Sequence, residues 1–214
     1  MYSNTKINMV KIGLTGNRYS GKNTVCGFFN KMHIPVFSAD VVLKFLLNHN
    51  VEVKDKVREA FGDKIYGFSD GLLRFEKITS DSEFNGLVDI VDFEMRKSYE
   101  KFRLSHMKSI YTIFHSSILF ETGWNVYMDY SINVFCPKKE RIERGMMLSH
   151  NSSSKVKELL KNEMDDATKN GLADYIIHNY ETSEYTCVID QVSRIDQKLV
   201  DKYIETKSET VKIL

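Results

Sequence analysis

Proline is nearly absent from this chain, with Pro35 and Pro137 the only two in 214 residues. Proline-rich linkers and polyproline segments are therefore excluded, and long uninterrupted helices are allowed. Cysteine is also scarce. The three residues Cys26, Cys136 and Cys187 are odd in number and far apart. They form neither a zinc spacing nor a disulfide framework, which points to a reducing cytoplasm. The six histidines share no ligand spacing, so no zinc site is expected. Net charge is small as well: 30 basic side chains against 29 acidic ones leave a formal +1. No global field directs the chain to nucleic acid or to a membrane surface. No run approaches the ~20 apolar residues of a membrane span, and the first residues lack the order of a signal peptide. Repeats and low-complexity tracts are missing.

What is present is 42% hydrophobic residues, enough for a core in one domain or one domain with an insertion. Short apolar runs alternate with helical periodicity. Strands are expected at Lys6–Thr15, His33–Ser38, Ser117–Phe120, Tyr130–Phe135 and, more weakly, Ala173–Ile177. Met95, Tyr99, Phe102 and Ile110 recur at helical spacing, as do Val156, Leu159, Leu160, Met164 and Ala167, with Gly171 as a stop. A last helix has Ser183 as its cap and Tyr185, Val188, Ile189, Val192, Leu199 and Tyr203 on one face. Alternating strands and helices predict an α/β fold, its five-stranded, mainly parallel sheet covered by helices on both faces. Residues 51–110 carry few strand signals and read as a helical insertion. That leaves 1–50 and 111–214 as the core.

The sharpest signal is Gly16-Asn17-Arg18-Tyr19-Ser20-Gly21-Lys22-Asn23, placed after a strand and before a helix. This is the G-x-x-x-x-G-K part of a phosphate-binding loop in the context that motif needs. Glycines let backbone amides turn towards phosphate oxygens, the helix N-terminus adds its dipole, and Lys22 supplies a point charge. The residue after the lysine departs from the pattern. Asn23, followed by Thr24, stands where a Ser or Thr hydroxyl would bind Mg²⁺. Either the asparagine oxygen coordinates the metal, or water does.

KIGLTGNRYSGKNTV followed by IPVFSADVV resembles the opening of dephospho-CoA kinases. SILFETGW, DYSINVFCPKKERIER and LADYIIHN resemble that family's third-strand motif, its next strand with the start of the lid, and its late Ala-Asp-Tyr segment, in the family's order. Phe61-Gly62, Asp70-Gly71 and Arg74 fit its CoA-side insertion more loosely. The resemblance implies a three-layer P-loop kinase fold with a lid near 138–155. It also implies ATP- and Mg²⁺-dependent phosphorylation of the ribose 3′-hydroxyl of dephospho-CoA. Under it, Gly16 to Thr24 hold ATP phosphates, and Asp40 sits by the acceptor hydroxyl. Arg144 comes from the lid, Asn179 lies near the adenine, and Glu121 contacts substrate or metal-bound water.

Three family features differ: Ser38-Ala39-Asp40 keeps one carboxylate of two, Met147 stands at the second lid arginine, and the insertion has no His-Pro. Plainer readings exist for three of these residues: Asp40 as a helix cap, Glu121 as a solvated strand end, Arg144 as part of a solvated charge run. Arg141 in the same run reads as surface, and Arg18 is open to either nucleotide. Trp124 and the Tyr99/Phe102 stripe read as core. Two other functions compete: a deoxynucleoside monophosphate kinase, which shares loop, insertion and lid, and a nucleotide-binding module without catalysis. The joint presence of Lys22, Asp40 and Arg144 argues against the last.

Overall fold

The computed structural model describes residues 9–181 and 187–212, the last seven by backbone alone. Lys6–Asn8 of the expected first strand, Ser183 and Tyr185 lie outside the described residues. Five strands form one sheet in the order β2-β3-β1-β4-β5: β1 (Val10–Thr15), β2 (Val36–Ser38), β3 (Tyr111–His115), β4 (Tyr130–Phe135) and β5 (Tyr175–His178). The pairs β1–β3, β1–β4 and β4–β5 are parallel. Among the described residues no helix is long and apolar enough to cross a membrane.

The chain divides into two compact units, Met1–Val36 with His106–Leu214, and Phe37–Ser105. In the first, alternate residues of β1 face opposite sides of the sheet, as a pleated strand requires. Ile12 and Leu14 join a fully buried cluster with Val25 and Phe29 of α1 (Lys22–Lys31) and Val192 and Leu199 of α8 (Val188–Lys212). Gly13 faces the other way, where a Cβ would lie 2.6 Å from Leu119 Cδ2. Tyr111 of β3 donates to Asp196 of α8 at 2.5 Å, and burial, followed by that bond, pushes its phenol far above its ordinary range.

The run Ser117–Phe120 is not a strand. β3 lies just before it, and Leu119 is buried as part of a turn that covers Gly13. Apolarity there reports burial rather than extension. Ile110 likewise falls outside α4 (Asp81–Ser105). The periodic segment from Val156 to Ala167 is two helices, α6 (Ser153–Leu159) and α7 (Asp166–Leu172). Ser152 caps the first; the Asp165 side chain caps the second by accepting from Ala167 and Thr168, which forces a break between them. In α8, Val192 and Leu199 are buried as expected, whereas Ile189 is exposed. Trp124 is buried, edge-on to Phe114.

The second unit contains α2 (Ala39–His49), α3 (Val51–Phe61) and α4 (Asp81–Ser105). Its interior is Leu46, Leu47, Val53, Val57, Leu87, Val91, Met95 and Tyr99. Phe37 packs against Tyr99 and Phe102. Asn50 caps α3 by accepting from Val53 N–H at 3.0 Å. Ser80 and Glu83 cap α4 reciprocally, and bonds from the Thr79 and Ser80 amides hold the Glu83 carboxyl below its ordinary value. In the Asp70–Arg74 turn the two side chains pair at 2.7 Å; the Leu72 amide and then Arg74 lower the Asp70 carboxyl.

Candidate functional site

The site is built where β1 ends. Thr15 leads into Gly16 at φ 152°, and the loop then requires positive φ again at Tyr19 (64°) and Gly21 (92°) before α1 starts at Lys22. At Gly16 only glycine fits, because a Cβ would lie 2.5 Å from the carbonyl oxygen of Val134 in β4. The Ser20 amide donates to the Asn17 carbonyl at 3.1 Å, closing a turn. α1 starts directly after the loop, and a helix N-terminus suits an anion through its dipole and its first N–H groups; within that turn the Thr24 N–H donates to the Gly21 carbonyl at 3.0 Å. Lys22 is buried, and its Nζ reaches back across the loop to the Asn17 carbonyl at 3.0 Å.

Two expected residues from elsewhere in the chain, Asn179 and Arg144, gather at this loop. The Asn179 side-chain amide donates to the Ser20 carbonyl at 2.7 Å. A Cβ on Gly21 would sit 2.0 Å from that same amide nitrogen. Arg144 comes from α5 (Lys138–Ser149) and donates to the carbonyls of Asn179 at 2.7 Å and Ser20 at 3.4 Å. One helical position on, Gly145 leaves a notch for the Tyr19 ring. A Cβ there would lie 2.7 Å from both Tyr19 Cε2 and Val156 Cγ1. Asn23 and Thr24 are exposed on the first turn of α1.

Glu121 is not at a strand end; it lies in the turn region six positions after His115 closes β3. Its Oε1 pairs at 2.9 Å with Lys169 of α7, a lysine only 1% exposed. Lys169 also donates to the Ser117 carbonyl at 3.1 Å. Glu121 Oε2 is a buried oxygen with no hydrogen-bond donor among the described residues. Asp40 belongs to the second unit, as the second residue of α2 and partly buried. The cap position is Ser38, so Asp40 is not the N-cap. Met147 is 76% exposed on α5.

The largest departure from the sequence reading is Arg141. It is 2% exposed, not a surface residue. It pairs with Glu163 at 2.6 Å and Asp166 at 2.9 Å, and donates to the carbonyls of Cys136 and Arg18. Those two carboxylates in turn hold the loop. Glu163 accepts from the Arg18 amide at 2.6 Å, and Asp166 accepts from the Asn17 side chain at 2.7 Å. The sequence reading places Arg141 on the surface and assigns no role to Glu163, Asp166 or Lys169. A charged side chain that turns inward has to find partners, but nothing in the charge run of Lys138 to Arg144 marks Arg141 as the one that does.

The family model for dephospho-CoA kinase (CoaE) matches residues 10–184. The dephospho-CoA kinase of Salinibacter ruber is 28% identical over 178 residues, which is 80% of this chain and 89% of that protein. The one from Porphyromonas gingivalis is 28% identical over 177 residues, covering 80% and 86% respectively. Among solved structures, TT1252 from Thermus thermophilus superposes with a TM-score of 0.71 at 21% identity, over 91% of this chain and 97% of that one. Dephospho-CoA kinase from Campylobacter jejuni gives 0.51 at 17% identity, over 90% and 98%. These two likenesses speak for the fold.

Proposed function

We infer the reaction from one premise: this chain belongs to the dephospho-CoA kinase family. The chain catalyses ATP-dependent phosphorylation of dephospho-CoA, moving the γ-phosphoryl group to the acceptor's 3′-hydroxyl and giving CoA and ADP. The observation in the molecule that carries this reading is the wound phosphate loop, with Lys22 laid across it and α1 behind it.

In the mechanism we propose, Gly16 to Thr24 bind the nucleotide phosphates, chiefly through backbone amides, and Lys22 moves from the Asn17 carbonyl to the β/γ oxygens. Asp40 orients the acceptor hydroxyl and takes its proton as the new O–P bond forms. The bond from the γ-phosphorus to the bridging oxygen breaks, and that electron pair leaves on ADP. Arg144, next to Ser20 and Asn179, adds positive charge on the nucleotide side, and Asn179 lies by the adenine. Glu121, held by Lys169, faces the acceptor. Residues 1–50 and 111–214 serve as the nucleotide core with its lid near 138–155, and 51–110 as the acceptor-side insertion. We assign the reaction to the cytoplasm, where ATP and a reducing poise meet; burial pushes the Cys136 thiol up to about 11, keeping it protonated there.

The test is ADP release against dephospho-CoA and a panel of deoxynucleoside monophosphates. Turnover is expected with dephospho-CoA. A deoxynucleotide that releases ADP while dephospho-CoA stays at the no-acceptor blank would transfer the assignment to the rival kinase class.

Magnesium belongs to the same proposal. The exposed side-chain oxygen of Asn23 stands where the motif has its hydroxyl, and an amide oxygen is a hard donor suited to Mg²⁺. Bound there, the ion would neutralise charge developing on the β and γ phosphate oxygens. Asn23→Ser is expected to keep turnover or raise it, and Asn23→Leu to abolish Mg²⁺-dependent turnover. The magnesium dependence of kcat/KM for both variants decides the point. A wild-type profile in Asn23→Leu removes Asn23 from the metal site.

A further inference from the structure

The loop that takes a polyphosphate rests on two negative side chains. Glu163 accepts from the Arg18 backbone N–H at 2.6 Å, and Asp166 accepts from the Asn17 side-chain Nδ2 at 2.7 Å. As hydrogen-bond acceptors they fix the loop. As charges within reach of its backbone they oppose the nucleotide. Arg141 answers both at once: its two terminal nitrogens pair with Glu163 and Asp166, and its remaining bonds go to the Arg18 and Cys136 carbonyls. Each guanidinium nitrogen is thus committed to a protein oxygen, and the side chain is 2% exposed. It is placed to act through its neighbours rather than on phosphate.

We propose that Arg141 is a positioning residue that screens Glu163 and Asp166, so that two carboxylates brace the phosphate loop without repelling the nucleotide it binds. A planar fork suits this task, since a lysine ammonium is a point donor and does not span two carboxylates in fixed geometry. The proposal rests on the kinase reading only in that the loop binds a polyphosphate; the identity of the acceptor does not enter.

ADP alone is the probe, with its Kd measured by calorimetry on the full chain and folding checked by thermal melting. Arg141→Met is expected to raise the Kd about tenfold or more, because two carboxylates then face the loop unscreened. Adding Glu163→Gln and Asp166→Asn to that variant removes both charges but keeps both acceptor oxygens. This triple variant is expected to return to within about threefold of wild type. A folded Arg141→Met that binds ADP as wild type does, or a folded triple variant that stays as weak as Arg141→Met, overturns the screening role. If Arg141→Met does not fold, the triple variant alone carries the question: with the charges and their screen removed together, its Kd should stay within about threefold of wild type, and a folded triple variant that binds ADP about tenfold more weakly or worse overturns the proposal. A wild-type chain that binds no ADP removes the nucleotide reading and this inference together. Wild-type binding with a failed variant series removes the inference alone.

Discussion

Asp40→Asn is expected to lower kcat by about 10²–10⁴-fold, the usual contribution of a positioned general base. The substitution keeps size and shape, but an amide cannot take the acceptor's proton. ATP binding should change by no more than a few-fold, because the loop amides and Lys22 belong to a different segment. Asp40 occupies the first turn of α2 rather than its cap position, and the helix-dipole part of its contribution to stability is about 0.3–1 kcal/mol. Steady-state kinetics with ATP and acceptor varied separately, together with a melting curve, separate these effects. Turnover near wild type, with only a slightly lower Tm, would leave Asp40 a structural role and remove it from the chemistry.

Gly16→Ala should be nearly as damaging by a different route. The added methyl meets the Val134 carbonyl oxygen at 2.5 Å and the Ser20 hydroxyl at 2.7 Å, and φ of 152° is a backbone conformation L residues rarely adopt. Val134 is fully buried in β4, so the strand does not yield; the loop does. A displacement of about 1 Å in a positioning element costs on the order of 10²-fold, which is the loss expected in kcat/KM, with ADP affinity falling alongside. Gly27→Ala is the matched control. Nothing lies within 4 Å of the Cβ it adds to α1, and alanine is the better helix former by about 0.5–1 kcal/mol. Activity should hold there and stability should rise slightly. If Gly16→Ala turned over like Gly27→Ala, the loop would not be the nucleotide site.

The strand–turn–helix geometry of Gly16 to Lys22 is legible in the sequence because its determinants are local. Two glycines, a lysine and the strand–turn–helix context all fall within a dozen residues, and each answers a steric or electrostatic demand that sequence displays. β4 was read at its true bounds for the same reason, as an apolar run ending at Pro137. β3 was misread because a strand buried on both faces need not be uniformly apolar. Tyr111-Thr112-Ile113-Phe114-His115 is wholly buried, while the more apolar Ser117–Phe120 is the turn. Arg141 was misread for the opposite reason. In sequence it belongs to a charge run, and its partners Glu163 and Asp166 stand 22 and 25 residues away. A long-range ion pair leaves no spacing to count. The break at Asp165 was visible in principle, since aspartate is a good N-cap, but the apolar periodicity of Val156 to Ala167 runs through it and hides it.

The brace on the loop bears on how fast a nucleotide binds. Ordering a flexible stretch of backbone costs roughly 1–2 kcal/mol of conformational entropy per residue, charged to whichever event does the ordering. Glu163, Asp166 and Asn179 hold Arg18, Asn17 and Ser20 by bonds made within the chain itself. With this loop as the nucleotide site, as proposed, that part of the ordering cost falls on folding rather than on capture, in which Lys22 moves from the Asn17 carbonyl to phosphate. Association at such a loop is governed by diffusion and charge rather than by a slow rearrangement. Differences in affinity among nucleotides then reside mainly in how long each one stays.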